Sequence, residues 1–155
     1  MRARGGQPLG RPQHPPLRAR RGEVIRFYLT NTANTRVFNV GLPGARMKLV
    51  GGDSGRIERE TFVDSLVIAP SERVVVDVQF DRPGELTLEH RTPDRAYALA
   101  AITVDTERAE PVLATEFARL RTDGEMTARR AQIARYVLSP PDRTLAFVAE
   151  MDVNE

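Results

Sequence analysis

The sequence predicts an all-β domain, either a sandwich or a barrel, followed by a helical segment. Within residues 22–105, short segments alternate apolar and polar residues with a period of two, which is the period of a half-buried strand. Gly, Pro, Asn and Asp residues separate these segments at close intervals, a spacing typical of sandwiches and barrels. After residue 105 the alternation ends, and apolar residues recur with helical spacing instead.

The clearest strand pattern lies in residues 65–81, SLVIAPSERVVVDVQFD. Pro70 interrupts it, and because proline has no N–H to donate to a sheet, it marks a connection between two strands. Beyond the connection, every second residue is apolar, namely Val74, Val76, Val78 and Phe80. We therefore expect a hairpin whose second strand is central to the core.

The first strand of the domain is predicted at residues 24–30, with Ile25, Phe27 and Leu29 on the side that faces the core. Residues 31–34 (NTAN) are predicted to form a turn, because short polar side chains bond to their own backbone. Further strands are expected at residues 36–42, 47–50, 85–91 and 97–104, with a glycine-rich loop at 51–55.

A helical linker is predicted over residues 106–141. Thr122 and Glu125 fit a capping box, the pair of side chains that begins many helices, and apolar residues follow at helical spacing. We expect a helix over 123–136 and a shorter helical turn around 115–120. The prolines that follow Ser139 end the helix.

Residues 142–155 contain one further predicted strand, Thr144–Met151, with no strand after it to pair with. We expect it to be the first strand of a following domain that this chain does not contain. Because an unpaired apolar strand edge attracts other chains, we also expect self-association through residues 144–151.

The basic charge of the chain is concentrated at its start. Residues 1–21 contain six arginines and no acidic residue, and since the whole chain carries +2, residues 22–155 carry −4. Prolines and arginines without interleaved aromatic residues indicate a solvated arm, so no nucleic-acid partner is expected. The longest uncharged apolar run, residues 96–104, is too short to span a membrane, and no membrane partner is expected either. Residues 1–21 lack the apolar stretch of a signal peptide.

Residues 17–104 resemble the middle cupredoxin-like domain of three-domain multicopper oxidases, which include laccases and cuprous oxidases. The matching segments are RRGEVIRFYLTNTANTRVFNV (20–40), LVGGDSG (49–55) and DSLVIAPSERVVVDVQFD (64–81). The family usually has PGER where this chain has Pro70–Arg73, and often D-G-G at 53–55. The resemblance implies a Greek-key cupredoxin-like β-sandwich over residues 22–105.

The resemblance continues beyond the domain. FARLRTDGEM (117–126) and PPDRTLAFVAEMD (140–152) are similar to the linker and first strand that lead into the third domain of bacterial members. This similarity implies flanking cupredoxin domains as partners, and a periplasmic or secreted location. The sequence itself does not determine a compartment.

The family binds copper through His-x-His pairs and through a cysteine flanked by histidines with an axial methionine, since imidazole and thiolate suit copper. This chain has 36-RVFN-39 and 89-EHR-91 at those places, with only His14 and His90 and no cysteine. We therefore expect no catalytic, cofactor-binding or metal-binding residue in this chain. The resemblance implies copper in a parent enzyme, whose middle domain serves as a structural spacer.

Two motifs have an enzymatic and a structural interpretation. Residues 52–55 spell GDSG, the nucleophile loop of serine proteases, but only His14 and His90 could act as a base for Ser54. A tight turn held by Asp53 is favoured. His90 could join a metal site with an acidic neighbour, either Glu89 or Glu60, but a satisfied or surface imidazole is favoured.

Two further polar groups have structural explanations. Glu72 and Arg73 could act as acid and base, yet an ion pair that anchors the turn is the preferred interpretation. Arg36 is expected to reach a backbone carbonyl or an acidic residue across the sheet.

The sequence thus predicts a copper-free domain that spaces the copper-bearing domains of an oxidase coupling substrate oxidation to dioxygen reduction. By itself the chain should be inactive. A stand-alone scaffold of the same fold, and a weak copper-binding protein that uses His14, His90 and methionines, remain as alternatives. The parent's substrate is not indicated.

Overall fold

The computed structural model describes residues 16–148, which fold into two β-sheets and two helices. The first five strands are β1 (Leu17–Arg21), β2 (Glu23–Thr30), β3 (Phe38–Gly41), β4 (Arg46–Gly52) and β5 (Gly55–Val63). The remaining elements are β6 (Ser65–Ile68), β7 (Arg73–Phe80), β8 (Gly84–Arg91), β9 (Ala96–Arg108), α1 (Ala114–Ala118) and α2 (Gly124–Val137). The all-β class predicted from the alternation is confirmed.

The strands form a sandwich of two sheets. One has five strands in the order β1-β9-β8-β3-β6, and the other has four in the order β2-β7-β4-β5. Between named strands, β1 and β9 pair in parallel and the other pairs are antiparallel. The chain passes between the sheets again and again, as a Greek-key topology requires.

Apolar side chains from both sheets fill the space between them. On β7 the predicted apolar positions are all buried: Val74, Val76, Val78 and Phe80. The inward positions of β2 pack against this core, as predicted for Ile25, Phe27 and Leu29. Their burial removes apolar surface from water at about 25 cal/mol per Å², the main favourable contribution to folding.

The predicted hairpin of residues 65–81 is wrong. Strand β6 pairs with β3 in the five-stranded sheet, whereas β7 lies between β2 and β4 in the other. The connection is a corner in which Ser71 adopts a φ of 67°. Both strands still face one shared core, and for this reason the alternation predicted their buried faces but not their partners.

Residues 17–21 do not belong to an arm. They form β1, paired in parallel with β9, and Ala19 is buried against the core. Arg18 and Arg20 point outward to Asp105 and Glu107. The arginines of this segment suggested a solvated arm. A strand pairs through its backbone, however, and one inward side chain is enough to anchor it to the core. The remaining residues of the predicted arm, 1–15, lie outside the described part of the chain.

The predicted turn after β2 is present and is organised by Asn31. The Asn31 side chain donates to the carbonyls of Arg36 (2.7 Å) and Ile68 (3.0 Å), and it accepts the N–H of Ala33 (3.0 Å). Because the carbonyl of Ile68 belongs to β6, this buried amide joins the turn to the five-stranded sheet.

The glycine-rich segment is more regular than a loop. Gly51 and Gly52 end β4, and Gly55 begins β5 with a φ of 95°, which favours glycine. A Cβ added at Gly51 would lie 2.9 Å from the carbonyl oxygen of Gly55. The glycines therefore permit a tight turn and a close approach of two strands.

Of the described residues, 16–123 form one compact unit and 124–148 form a second. Helix α1 lies in the first, and α2 occupies the second, close to the predicted range 123–136. In the second unit, residues 144–148 are assigned no strand, and Leu145 and Phe147 are almost fully exposed. The rest of the predicted strand lies beyond the described residues. Neither helix of residues 16–148 is long and apolar enough to cross a membrane.

Candidate functional site

A buried lysine on the outer face of the four-stranded sheet is the least expected feature of the molecule. Lys48 of β4 is only 1% exposed. Register places it beside Asp77 of β7 on one side and Phe62 of β5 on the other. Burying an ammonium group costs free energy unless the group is paired and hydrogen-bonded, so the residues around Lys48 must supply these contacts.

The cover over Lys48 comes from the chain segment that follows β9, residues 109–123, here called the connector. Phe117 of α1 is 2% exposed, and its ring centroid lies 5.5 Å from that of Phe62. The Nζ of Lys48 lies 5.2 Å from the Phe117 ring, and the guanidinium of Arg46 lies 4.9 Å from the Phe62 ring. Cations thus stack with aromatic faces that also exclude water.

Glu60 of β5 is the centre of the polar contacts. Its carboxylate lies 3.4 Å from Nζ of Lys48, and it accepts from the backbone N–H (3.1 Å) and the Nε (2.8 Å) of Arg121. Lys48 also donates to the carbonyl of Arg119 at 3.2 Å. These four residues, with Phe117, are here called the clasp, because they join two sheet strands to the connector.

Backbone hydrogen bonds extend the clasp along the edge of the sheet. The N–H of Glu60 donates to the carbonyl of Arg121 (3.0 Å), and the N–H of Asp123 donates to the carbonyl of Glu58 (2.8 Å). Arg59 and Thr122 form an isolated β-bridge. The connector therefore covers part of the free edge of β5, which would otherwise attract another strand.

A second ion pair lies in the same row of the sheet. Arg26 of β2 donates to Asp77 through Nε at 2.6 Å and through Nη2 at 2.9 Å. This bidentate bond to a carboxylate raises the pKa of Arg26 above its ordinary value. The outer face of the sheet thus buries charge by pairing it.

The GDSG motif is a structural turn. Asp53 accepts from the backbone N–H of Arg73 (2.9 Å) and from its Nε (3.2 Å), which ties the β4–β5 turn to the start of β7. Ser54 lies in this turn of the four-stranded sheet, while His90 lies in the five-stranded sheet. The structure does not bring the two together, and His14 lies outside the described residues.

His90 is a satisfied imidazole. Its Nδ1 accepts the backbone N–H of Asn39 at 3.0 Å, and its ring lies between Phe38 (4.9 Å) and Tyr97 (5.8 Å). Glu89 is buried too, because a bulge between residues 88 and 89 interrupts the alternation, and it accepts from Arg91.

Copper does not fit this site. One imidazole nitrogen already accepts a backbone hydrogen bond, the flanking residues Glu89 and Arg91 pair with each other, and the chain has no cysteine. Glu60, the other acidic residue considered as a partner of His90, lies in the other sheet. Within residues 16–148, no group of three His, Cys, Asp or Glu residues is placed to hold a metal ion.

The remaining polar residues anchor the chain separately. The carboxylate of Glu72 accepts the N–H of Ala69 (2.6 Å), and Arg73 pairs with Asp53. The predicted Glu72–Arg73 ion pair is therefore wrong, since each side chain is bonded to a different partner. Arg36 is exposed, and its own carbonyl accepts from Asn31.

The clasp was not predicted from the sequence. A lysine inside the apolar run MKLV (47–50) is the one local signal, because a charged residue flanked by apolar ones in a strand faces either water or a specific cover. The clasp residues Glu60 and Arg121 are 61 residues apart, and no local pattern connects them.

The fold and site together define a class of protein, a mainly antiparallel cupredoxin-like β-sandwich whose buried polar cluster is structural. The chain belongs to the multicopper oxidase family, whose family model matches residues 4–123. No curated protein matches it.

Several solved structures are similar to this chain. A laccase-like multicopper oxidase, CueO, from Ochrobactrum is 27% identical over 63% of this chain and 24% of its own, with a TM-score of 0.52. Lac15 from a marine microbial metagenome is 29% identical over 62% of this chain and 26% of its own, with a TM-score of 0.56. The blue copper oxidase of Nitrosomonas europaea (16% identical, 74% of this chain and 43% of its own, TM-score 0.54) supports the fold alone. The chain thus spans about a quarter of the first two proteins.

Proposed function

We propose that this chain acts as a copper-free spacer, the middle cupredoxin-like domain of a multicopper oxidase. In this role it holds copper-bearing neighbours at a fixed separation while they couple substrate oxidation to dioxygen reduction. The observation that carries the proposal is the clasp, in which Glu60 binds both Lys48 and Arg121.

A spacer needs a rigid exit for the chain that leaves it. A flexible linker lets its two ends separate over a broad range of distances, whereas a segment bonded to a sheet leaves from one place. The connector is bonded to β5 through Glu58 and Glu60 as far as Asp123. The position of the connector as far as Asp123 is therefore set by the sandwich.

The residues at the family's copper positions support the same role. His90 is engaged by Asn39 and by two aromatic rings, so it contributes to packing of β3 against β8. A domain whose histidine stabilises its own sheet holds its shape without a metal. The chemistry of the parent enzyme then belongs to its neighbours.

Copper titration tests the copper-free part of the proposal. The purified chain and a His90→Ala variant are titrated with Cu(I) and with Cu(II) against a competing chelator. We expect neither form to retain copper in competition. Sub-micromolar binding that disappears in His90→Ala would favour the alternative of a copper-binding protein and overturn the proposal.

The spacing part requires the flanking sequence. His-x-His pairs before this chain and a His-Cys-His segment after it would identify the parent oxidase. In that enzyme, Glu60→Gln is expected to lower oxidase activity and copper occupancy although it removes no copper ligand. An exposed control, Arg95→Gln, should leave both unchanged. Full activity and occupancy in the Glu60→Gln enzyme would contradict the spacing role.

A second candidate is a stand-alone interaction module, in which the exposed apolar residues Leu145, Phe147 and Val148 would bind a partner. Such residues pair with a following domain in an oxidase but with a separate partner or a second copy in a scaffold. Light scattering of the full chain and of a chain ending at Pro140 distinguishes these cases. Self-association requires a mass above the monomer that returns to the monomer value on truncation.

A further inference from the structure

A cleft with a volume of about 290 Å³ lies beside the clasp on the outer face of the four-stranded sheet. Three arginines from different elements line it: Arg26 of β2, Arg56 of β5 and Arg121 of the connector. Val50 and Ile57 contribute an apolar part of the wall. No function described above uses this cleft.

Each of these arginines is paired with a carboxylate that is much more buried than the guanidinium. The side chains of Arg26, Arg121 and Arg56 are 45%, 61% and 88% exposed. Their partners, in the same order, are only 10%, 9% and 19% exposed: Asp77, Glu60 and Asp123. The negative charges therefore lie deep and the positive charges lie at the opening.

The charges around the cleft do not cancel. Glu60 serves two cations, Lys48 at 3.4 Å and Arg121 at 2.8 Å, so one positive charge is left without a carboxylate of its own. Low dielectric around the buried Lys48 strengthens its field at the cleft. Among the lining residues, three arginines outnumber two carboxylates, those of Glu60 and Asp123, so an anion at the opening would meet an excess of positive charge.

The guanidinium groups also have N–H donors that could bind a ligand. A guanidinium has five N–H donors in a planar fork. Within residues 16–148, Arg121 binds Glu60 through Nε, and Arg56 approaches Asp123 no closer than 3.9 Å. Forks of this geometry match the oxygens of a carboxylate or a phosphate in a bidentate manner.

We propose that this cleft binds a small oxyanion, held by Arg56 and Arg121 at its opening with Arg26 behind them. Carboxylates and phosphates share the required chemistry, namely two or more oxygens with negative charge. The cleft volume, about 290 Å³, lies just below the range of about 300–1,000 Å³ for ligand pockets, which restricts it to a small molecule. The inference goes beyond the spacer role, since it concerns the exposed guanidinium groups of three arginines, of which only Arg121 belongs to the clasp.

The test uses the full chain and two probes, inorganic phosphate and malonate, at constant ionic strength adjusted with sodium chloride. Titration followed by ¹H–¹⁵N spectra should give saturable shifts of the amides near residues 56 and 121–123. Saturation by phosphate alone or by malonate alone would identify the class of oxyanion. Shifts that grow linearly with both probes, or spread over the whole surface, would overturn the proposal.

Variants locate the site. Arg56→Gln and Arg121→Gln should each weaken binding about tenfold, the effect of losing one charge-assisted hydrogen bond. Arg95→Gln, in the β8–β9 turn of the other sheet, is the matched control and should bind as the unmodified chain does. Arg56→Gln leaves the contacts of Glu60 intact and removes only the 3.9 Å pair with Asp123, so it disturbs the connector less than Arg121→Gln does. Unchanged affinity in Arg56→Gln would refute the assignment.

Discussion

The two faces of strand β7 are both covered, but by different means. One face carries Val76 and Phe80, which are 1% and 0% exposed against the opposite sheet. The other face carries Asp77 and Gln79, which are 7% and 3% exposed on the outer side of the four-stranded sheet. Neighbouring residues of one strand are therefore buried alternately in an apolar core and in a polar cluster.

The two faces of β7 show that the buried fraction of a side chain does not say what surrounds it. The apolar face gains free energy from any close-packed apolar neighbour, because the hydrophobic effect is non-directional. The polar face requires a partner of the correct charge at each position, as Arg26 is for Asp77 and Glu60 is for Lys48. A missing partner there leaves a buried charge uncompensated.

The largest effect is expected on the apolar face. Phe80→Ala should lower the free energy of unfolding by about 4 kcal/mol, since it removes a fully buried ring and leaves a cavity. Urea denaturation of the full chain measures the change. Val67→Ala, at an exposed position of β6, is the control and should shift stability by less than about 0.5 kcal/mol. A loss of only that size in Phe80→Ala would contradict the assigned core.

On the polar face, Glu60→Gln should cost about 3 kcal/mol because it leaves Lys48 buried without its counter-charge. Replacing both members, Lys48→Met with Glu60→Gln, should recover most of the loss, since the buried ammonium is then removed together with its carboxylate. The same denaturation experiment compares the single and double variants. If the double variant is no more stable than Glu60→Gln alone, the ion pair is not what determines the cost.

The cover of the polar face can be weakened separately. Phe117→Ala should reduce the local opening free energy of the connector by about 2 kcal/mol, because Phe117 packs on one sheet face only. Amide hydrogen exchange at Arg121 and Asp123, whose N–H groups bond to Glu60 and Glu58, should then be roughly thirtyfold faster. Leu120→Ala, at a half-exposed connector position, should change these exchange rates little. Equal rates in both variants would show that Phe117 does not hold the connector.

The smallest effect concerns the corner that leads into β7. Ser71→Gly should stabilise the protein by about 0.5 kcal/mol, because glycine relieves the φ of 67° while it adds freedom to the unfolded chain. Ser65→Gly, in the regular strand β6, should instead destabilise it by about 0.5 kcal/mol. Thermal unfolding of the two variants shows whether each substitution raises or lowers stability. Destabilisation by both changes would show that Ser71 is not strained.

Alternation predicted the buried faces of β2 and β7 well, because a period of two follows from strand geometry. It could not predict that β6 and β7 lie in different sheets, since strands on either side of one core show the same pattern. The helix near residues 123–136 was also predicted, although α2 has no buried residue. Strand β1 was not predicted, because its composition is mostly arginine. One inward alanine between arginines is sufficient there for pairing with β9.

By itself, the sequence determined which positions are apolar, where the chain turns, and that the soft donors of a copper site are missing. These properties are local or compositional, so they can be recognised without a structure. The tertiary structure alone decided that Lys48 meets the carbonyl of Arg119, 71 residues away, and that Glu60 joins them. The physical reason is that a buried charge depends on partners in space, and chain order does not specify them.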